Sequence, residues 1–201
     1  LELDVERLDR PAHVFDLRGH GRSEEGEPTS YNIEQLARDL AAVLEASDGR
    51  NEIHVDPEVG RQRDLQPTAE AVAEQLGTAI EVDRDWDEQS FGDWDGASVG
   101  ELLESDPDGF RALRDDPRYT PPSGESHEEL VARVVPAWES VVACGGTVVV
   151  VCHRKPIMAM LGYVLGLPLE AQWRLAADPG SVNGIDAWSD GTSVVAFTNR
   201  T

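Results

Sequence analysis

Val148-Val149-Val150-Val151-Cys152-His153-Arg154-Lys155-Pro156-Ile157 decides the fold. The unbroken apolar run from Thr147 to Cys152 lacks the alternation of a half-exposed strand, so it reads as a strand covered on both faces. It ends in His153. Pro156 then suits the first turn of a helix that runs to about Leu165, before Gly166. A buried strand passing through a polar residue into a helix is the unit from which layered α/β folds are built. In such folds ligands gather at the carboxyl ends of the strands.

The flanking sequence supports the same architecture. Ala12 to Leu17 and Glu52 to Val55 read as short strands, and Ala79 to Val82 as extended. Asn32 can cap a helix carrying Ile33, Leu36, Ala37, Leu40 and Leu44 at helical spacing. Thr68 to Leu76 is a second helix, with Ala69, Val72, Ala73 and Leu76 on one face and Gly77 as its stop. Ser98 with Glu101 and Ser126 with Glu129 both fit capping boxes. The second box opens a helix that turns Leu130, Val134, Trp138 and Val142 inward. Ser181 to Trp188 and Ser193 to Thr198 form a hairpin about Asp190-Gly191. No repeat, linker or low-complexity tract breaks the pattern. The expectation is one domain over residues 1–201, an α/β/α three-layer sandwich with a mostly parallel sheet.

Charge narrows the function. Seventeen basic residues face 39 acidic ones, a net charge of −22. Such a chain repels nucleic acid and anionic membrane surfaces. No run approaches the ~20 apolar residues of a membrane helix. Lys155 is the only lysine, and the other basic residues are arginines. That bias fits adaptation to salt or a GC-rich genome equally well. Cys144 and Cys152 make neither a disulfide framework nor a zinc site, and they fit reduced thiols in a cytoplasmic protein. No signal peptide is visible, and the chain opens on Leu1 rather than Met, which leaves room for residues upstream.

Three segments carry chemistry. Arg18-Gly19-His20-Gly21 follows the first strand, Glu88 lies in a tryptophan- and acid-rich loop, and His153 ends the buried strand. With parallel neighbouring strands, Arg18, His20 and His153 fall at one sheet edge, where a helix N-terminus favours an anion. Two histidines, an arginine and a carboxyl group suit phosphoryl transfer. Arginine grips phosphate oxygens in a fork, neutral imidazole attacks phosphorus, and a carboxylic acid protonates the leaving oxygen. His13, His54 and His127 read as structural or surface groups, and Trp86 and Trp94 as packing. Cys152 and His153 point to opposite faces of the strand and make no nucleophile pair.

At these residues the chain resembles the histidine phosphatase superfamily, with its phosphoglycerate-mutase-like fold and acid-phosphatase-like members. The likeness runs from about Pro28 to Thr201. It is carried by Thr68-Ala69-Glu70, by Glu88 with Phe91-Gly92-Asp93-Trp94-Asp95-Gly96, and by Pro122-Ser123-Gly124-Glu125-Ser126. Cys152-His153, Leu165-Gly166-Leu167-Pro168 and Asp178-Pro179-Gly180-Ser181 complete it. The resemblance implies a metal-independent phosphatase with no cofactor, acting on a small phosphorylated molecule through phosphohistidine. His20 is then the nucleophile, Arg18 holds phosphate oxygens, His153 donates to the phosphoryl group, and Glu88 is the general acid.

The family's first motif is Arg-His-Gly, and here a glycine separates Arg18 from His20. The segment Phe15 to Leu40 also looks like a structural stretch of α/β-hydrolases, but no Gly-x-Ser-x-Gly elbow follows. Residues 1–27 are therefore read as a divergent N-terminal segment. Asp64 stands where the family carries a second phosphate arginine; Arg63 or Arg61 can substitute, and Arg154 adds positive charge. Arg111, Arg114 and Arg118, between Ser105 and Pro122, either meet a substrate acid or pair with the neighbouring aspartates. The alternative to a phosphatase is a diverged or inactive relative that binds an anion or acts on another substrate class. A homodimer stays open.

Overall fold

The computed structural model describes residues 11–16, 51–55, 66–178 and 180–200, with backbone alone for 11–16, 51–55 and 66–68. The predicted helix from Asn32, the Arg18-to-His20 motif, Arg61, Arg63 and Asp64 lie outside the described residues. The described strands are β1 (Pro11–Asp16), β2 (Asn51–Val55), β3 (Ile80–Val82), β4 (Thr147–Cys152), β5 (Val182–Ala187) and β6 (Ser193–Arg200). The α-helices are α1 (Gln66–Leu76), α2 (Val99–Ser105), α3 (Pro107–Asp115), α4 (His127–Cys144), α5 (Arg154–Val164) and α6 (Leu169–Gln172).

The strands form one sheet in the order β3-β2-β4-β1-β5-β6. β1, β2 and β3 run parallel to β4, and β5 is antiparallel to both of its neighbours. Four of the six described strands are therefore parallel to one another. The other two, β5 and β6, form the hairpin, whose Gly191 takes the positive φ that the turn requires.

β4 is buried along its whole length. Val148, Val150 and Cys152 join a core with Leu130, Val134 and Trp138 of α4 and Ile157, Met158 and Leu161 of α5. Val149 and Val151 join Ala69, Val72 and Ala73 of α1 in a second core. The period of two sends alternate valines to opposite faces, so each face must be covered. In α4 the reading needs one adjustment. Val141 is buried at the last turn and Val142 only partly, because a 3.6-residue period carries the apolar stripe past a strict i+4 step.

Register places the site. Asp16, the last residue of β1, pairs with Cys152, and Val55, the last residue of β2, pairs with Val151. The chain thus leaves β1 and β2 on either side of the point where β4 gives way to His153. β5 runs the other way, so Ser181 enters the sheet at this same edge.

Candidate active site

His153 is half-buried at the N-cap of α5 in an extended conformation, and its side chain makes no cap bond. The first turn of α5 therefore needs an acceptor from elsewhere. Glu88 supplies it. Its Oε1 accepts the Lys155 backbone N–H at 3.2 Å and the N–H of Gln89 at 2.8 Å. Among the described residues no hydrogen bond reaches Oε2. One carboxyl oxygen is thus pinned by two amides.

Two effects oppose one another at this carboxyl. The Gln89 and Lys155 N–H groups and the charges of His153 and Lys155 favour the anion, while burial disfavours it. Burial wins and pushes the Glu88 pKa above the ordinary carboxylate value. That order of strengths is reasonable. A helix terminus contributes ~0.3–1 kcal/mol at exposed sites, whereas deep burial shifts a carboxyl pKa by up to ~3–5 units. A raised pKa extends the protonated form above the ordinary carboxylate range.

The loop carrying Glu88 is held from both ends. Trp86 is fully buried in the main core. Beyond Glu88, Gln89 is buried and its Nε2 donates to the Glu125 carbonyl at 2.8 Å, while Glu125 N donates to Ser90 O at 2.8 Å. Asp93 N donates to Pro122 O at 2.9 Å. Gly92 has a positive φ and faces the backbone of Pro122 to Gly124 so closely that a Cβ would overlap it. The Pro122-to-Ser126 turn is thus a buttress for the acid loop.

Arg133 of α4 completes the clamp. Its Nε and Nη2 grip both oxygens of Glu125 at 2.8 Å, Nη1 donates to Asp85 O at 3.0 Å, and Nη2 donates to Glu88 O at 3.2 Å. Sequence reading did not single it out. An arginine on the mostly apolar face of α4, eight residues after Glu125, was the signal available.

The other predicted groups separate. Arg154 is exposed at the first residue of α5. Arg111 pairs with Asp108 at 2.8 Å, Arg114 with Asp115 at 2.7 Å and Arg118 with Glu128 at 3.4 Å, all on the surface. Arg111 and Arg114 thus pair with neighbouring aspartates, the second of the two readings offered for them, whereas Arg118 meets Glu128 at the start of α4 instead. Trp94 stacks on Tyr119 with ring centroids 6.0 Å apart, so it packs as expected. His127 is half-buried. One ring nitrogen lies 2.8 Å from Gln172 Oε1, and burial pushes its pKa down. Among the described residues no group of three or more His, Cys, Asp or Glu side chains is placed to hold a metal ion. No helix of the described residues is long and apolar enough to cross a membrane.

A model of the histidine phosphatase superfamily (branch 1) matches residues 61–200. The chain belongs to the histidine phosphatase superfamily. The match takes in Glu88, the Pro122-to-Ser126 buttress and His153, and begins after the Arg18-to-His20 segment. The bifunctional protein Rv2228c of Mycobacterium tuberculosis is 34% identical over 136 residues, 67% of this chain and 37% of that protein. Glucosyl-3-phosphoglycerate phosphatase of Mycolicibacterium vanbaalenii is 30% identical over 127 residues, 59% of this chain and 56% of that enzyme. This histidine phosphatase chain therefore aligns with well under two thirds of the length of either relative. Among solved structures, Bacillus stearothermophilus YhfR superposes with a TM-score of 0.76 at 24% identity, over 96% of this chain and 98% of that one. That likeness supports the α/β fold that the described residues carry.

Proposed function

We propose that this chain is a phosphoric monoester hydrolase working through phosphohistidine on a small phosphorylated molecule. The observation that carries the reading is Glu88, a half-buried carboxyl pinned through one oxygen to the α5 N-terminus, with no hydrogen bond to the other among the described residues and a pKa that desolvation pushes up. Family membership and phosphatase-named relatives support the same reaction class.

In this reading a His20 ring nitrogen attacks phosphorus as the ester P–O bond breaks, and Glu88 gives its proton to the leaving oxygen. Water then attacks the phosphohistidine. Glu88, now a carboxylate, takes a water proton, and inorganic phosphate departs with His20 restored. His153 donates to the phosphoryl oxygens at the head of α5, and the helix N-terminus adds its partial positive charge. Arg18 holds phosphate oxygens, joined by Arg63 or Arg61, with Arg154 adding charge at the rim. The ends of β1 and β2 beside Val151 and Cys152 support this grouping, since Arg18 and His20 follow β1 and both arginine candidates follow β2. We read residues 1–201 as a single three-layer domain.

The decisive experiment is phosphate release from a panel of phosphomonoesters with EDTA present, comparing wild type with His20→Ala and His153→Ala. EDTA-resistant activity that vanishes in both variants supports the mechanism. Activity lost only in His153→Ala moves the nucleophile away from His20. A second reading, a diverged relative that binds an anion without hydrolysis, is favoured by the extra glycine in Arg18-Gly19-His20 and by the family match beginning at residue 61. A folded wild type inert on every ester supports that reading.

A further inference from the structure

Charge is spread unevenly along this chain. Acidic residues make up 39 of the 201, yet between Glu139 and Asp178 Glu170 is the only one. The same stretch exposes large apolar side chains. Of the five tryptophans only Trp173 is exposed, at 53%, and Leu165, just past the end of α5, is 48% exposed. The Arg174 guanidinium lies over the Trp173 ring, 5.5 Å from its centroid. Among the described residues neither Glu170 nor Arg174 is in an ion pair. The helical spacing that would pair them four residues apart ends with α6 at Gln172.

The exposure of Trp173 is built into the fold. Its neighbour Gln172 is buried, donates through Nε2 to Leu167 O at 3.4 Å and holds Oε1 2.8 Å from a His127 ring nitrogen. Gly162 of α5 faces Gln172 so closely that a Cβ would overlap its side chain, and Leu167 N donates to Gly162 O at 2.8 Å. On the other side of Trp173, Leu175 packs partly buried against the main core. Anchored neighbours on both sides thus hold the indole out to solvent. An indole in water leaves a large apolar surface unburied, and tryptophan and arginine are the residues that concentrate binding energy at protein interfaces.

We propose that the face formed by Leu165, Glu170, Trp173 and Arg174 is the contact between two copies of this chain related by a two-fold axis. Charge selects the partner. A molecule with a net charge of −22 repels its own copy over most of its surface, whereas on this face one acid and one base cancel. A two-fold contact is self-complementary, so Glu170 of each copy meets Arg174 of the other while the Trp173 and Leu165 side chains pack at the centre. The ion pair that the end of α6 withholds within one chain is then made between two. Nothing in this contact depends on the phosphatase reading.

The test is sedimentation equilibrium of the full chain at physiological ionic strength, from micromolar to several hundred micromolar. Wild type should show a reversible monomer–dimer equilibrium. Trp173→Ser should raise the dimer Kd about tenfold or more, as expected for a central tryptophan. Glu170→Arg and Arg174→Glu should each weaken the dimer, since either one sets like charges against each other across the contact. The double variant Glu170→Arg/Arg174→Glu should restore it, because a reciprocal pair survives exchange of its charges. Val82→Ser, at an exposed apolar residue of β3, should leave Kd unchanged. All of these positions are exposed, so circular dichroism melts of the variants should match wild type. A chain that stays monomeric throughout overturns the proposal. So does a dimer that tolerates Trp173→Ser, is broken by Val82→Ser, or is not restored by the double exchange.

Discussion

Two arginine–carboxylate pairs, Arg133–Glu125 and Arg114–Asp115, do different things. Arg133 and Glu125 are about one-fifth exposed, meet as a fork and spend their remaining donors on the carbonyls of Asp85 and Glu88. Arg114 and Asp115 meet with the same fork geometry and more than half exposed. Water competes for every bond of the second pair, and it has nothing further to hold. The first pair is shielded and is tied into the backbone of the acid loop. Pairing chemistry is common to both; burial and the extra carbonyls decide which one builds the site.

The sharpest challenge to that contrast is at the group the inner pair supports. Glu88→Gln should lower kcat by on the order of 10²–10⁴ while leaving the protein folded, measured by steady-state phosphate release beside a circular dichroism melt. A loss below tenfold would remove Glu88 as the acid and leave the Arg133 clamp without a catalytic purpose. The pH profile refines this. A carboxyl whose pKa is raised in the fold stays protonated past the usual carboxylate range, so the acid-dependent step should persist through weakly acidic pH and decline as pH rises through the raised value. Stability follows the same sign: wild type should lose stability relative to Glu88→Gln as pH climbs from 4.5, the ordinary value, through the raised one. Parallel stability profiles for the two proteins would contradict the burial argument.

Arg133→Met should destabilise the fold by roughly 2–4 kcal/mol, since it strands Glu125 in a shielded position, and should reduce activity as the Glu88 loop loosens. Urea denaturation and kinetics on one sample would separate these effects. Ser126→Ala should cost ~1 kcal/mol. It removes the side-chain cap that accepts the Glu129 N–H at the start of the helix carrying Arg133. Arg114→Ala should leave both the melting temperature and activity unchanged within error. A clear loss there would show that the outer pair matters too and would dissolve the comparison.

Much of this was legible before any coordinates. The run Thr147–Cys152 admits one element, because six consecutive apolar or small residues ending in a polar one cannot alternate between core and solvent. Both capping boxes, at Ser98 and Ser126, form as the sequence reading expects, since a cap is a bond between residues three apart and needs no tertiary partner. The same locality explains Gly77 and Gly166, which stop their helices with positive φ.

The supports of the site were not legible, because they are distant in sequence. Arg133 joins Asp85 and Glu88 across 48 and 45 residues, and Lys155 reaches Glu88 across 67. Nor could composition say which of so many acids would have its pKa pushed up by burial. Sequence alone determined most of the strands, the capped helices, the histidine at the end of the central strand and the family's motifs, since these follow from local periodicity and short-range bonds; the helices Pro107–Asp115 and Leu169–Gln172 were not read from it. Tertiary structure decided that burial pushes the Glu88 pKa up and that Arg133 holds its loop. Desolvation and long-range charge depend on what the fold packs around a group, and no short stretch of chain carries that information.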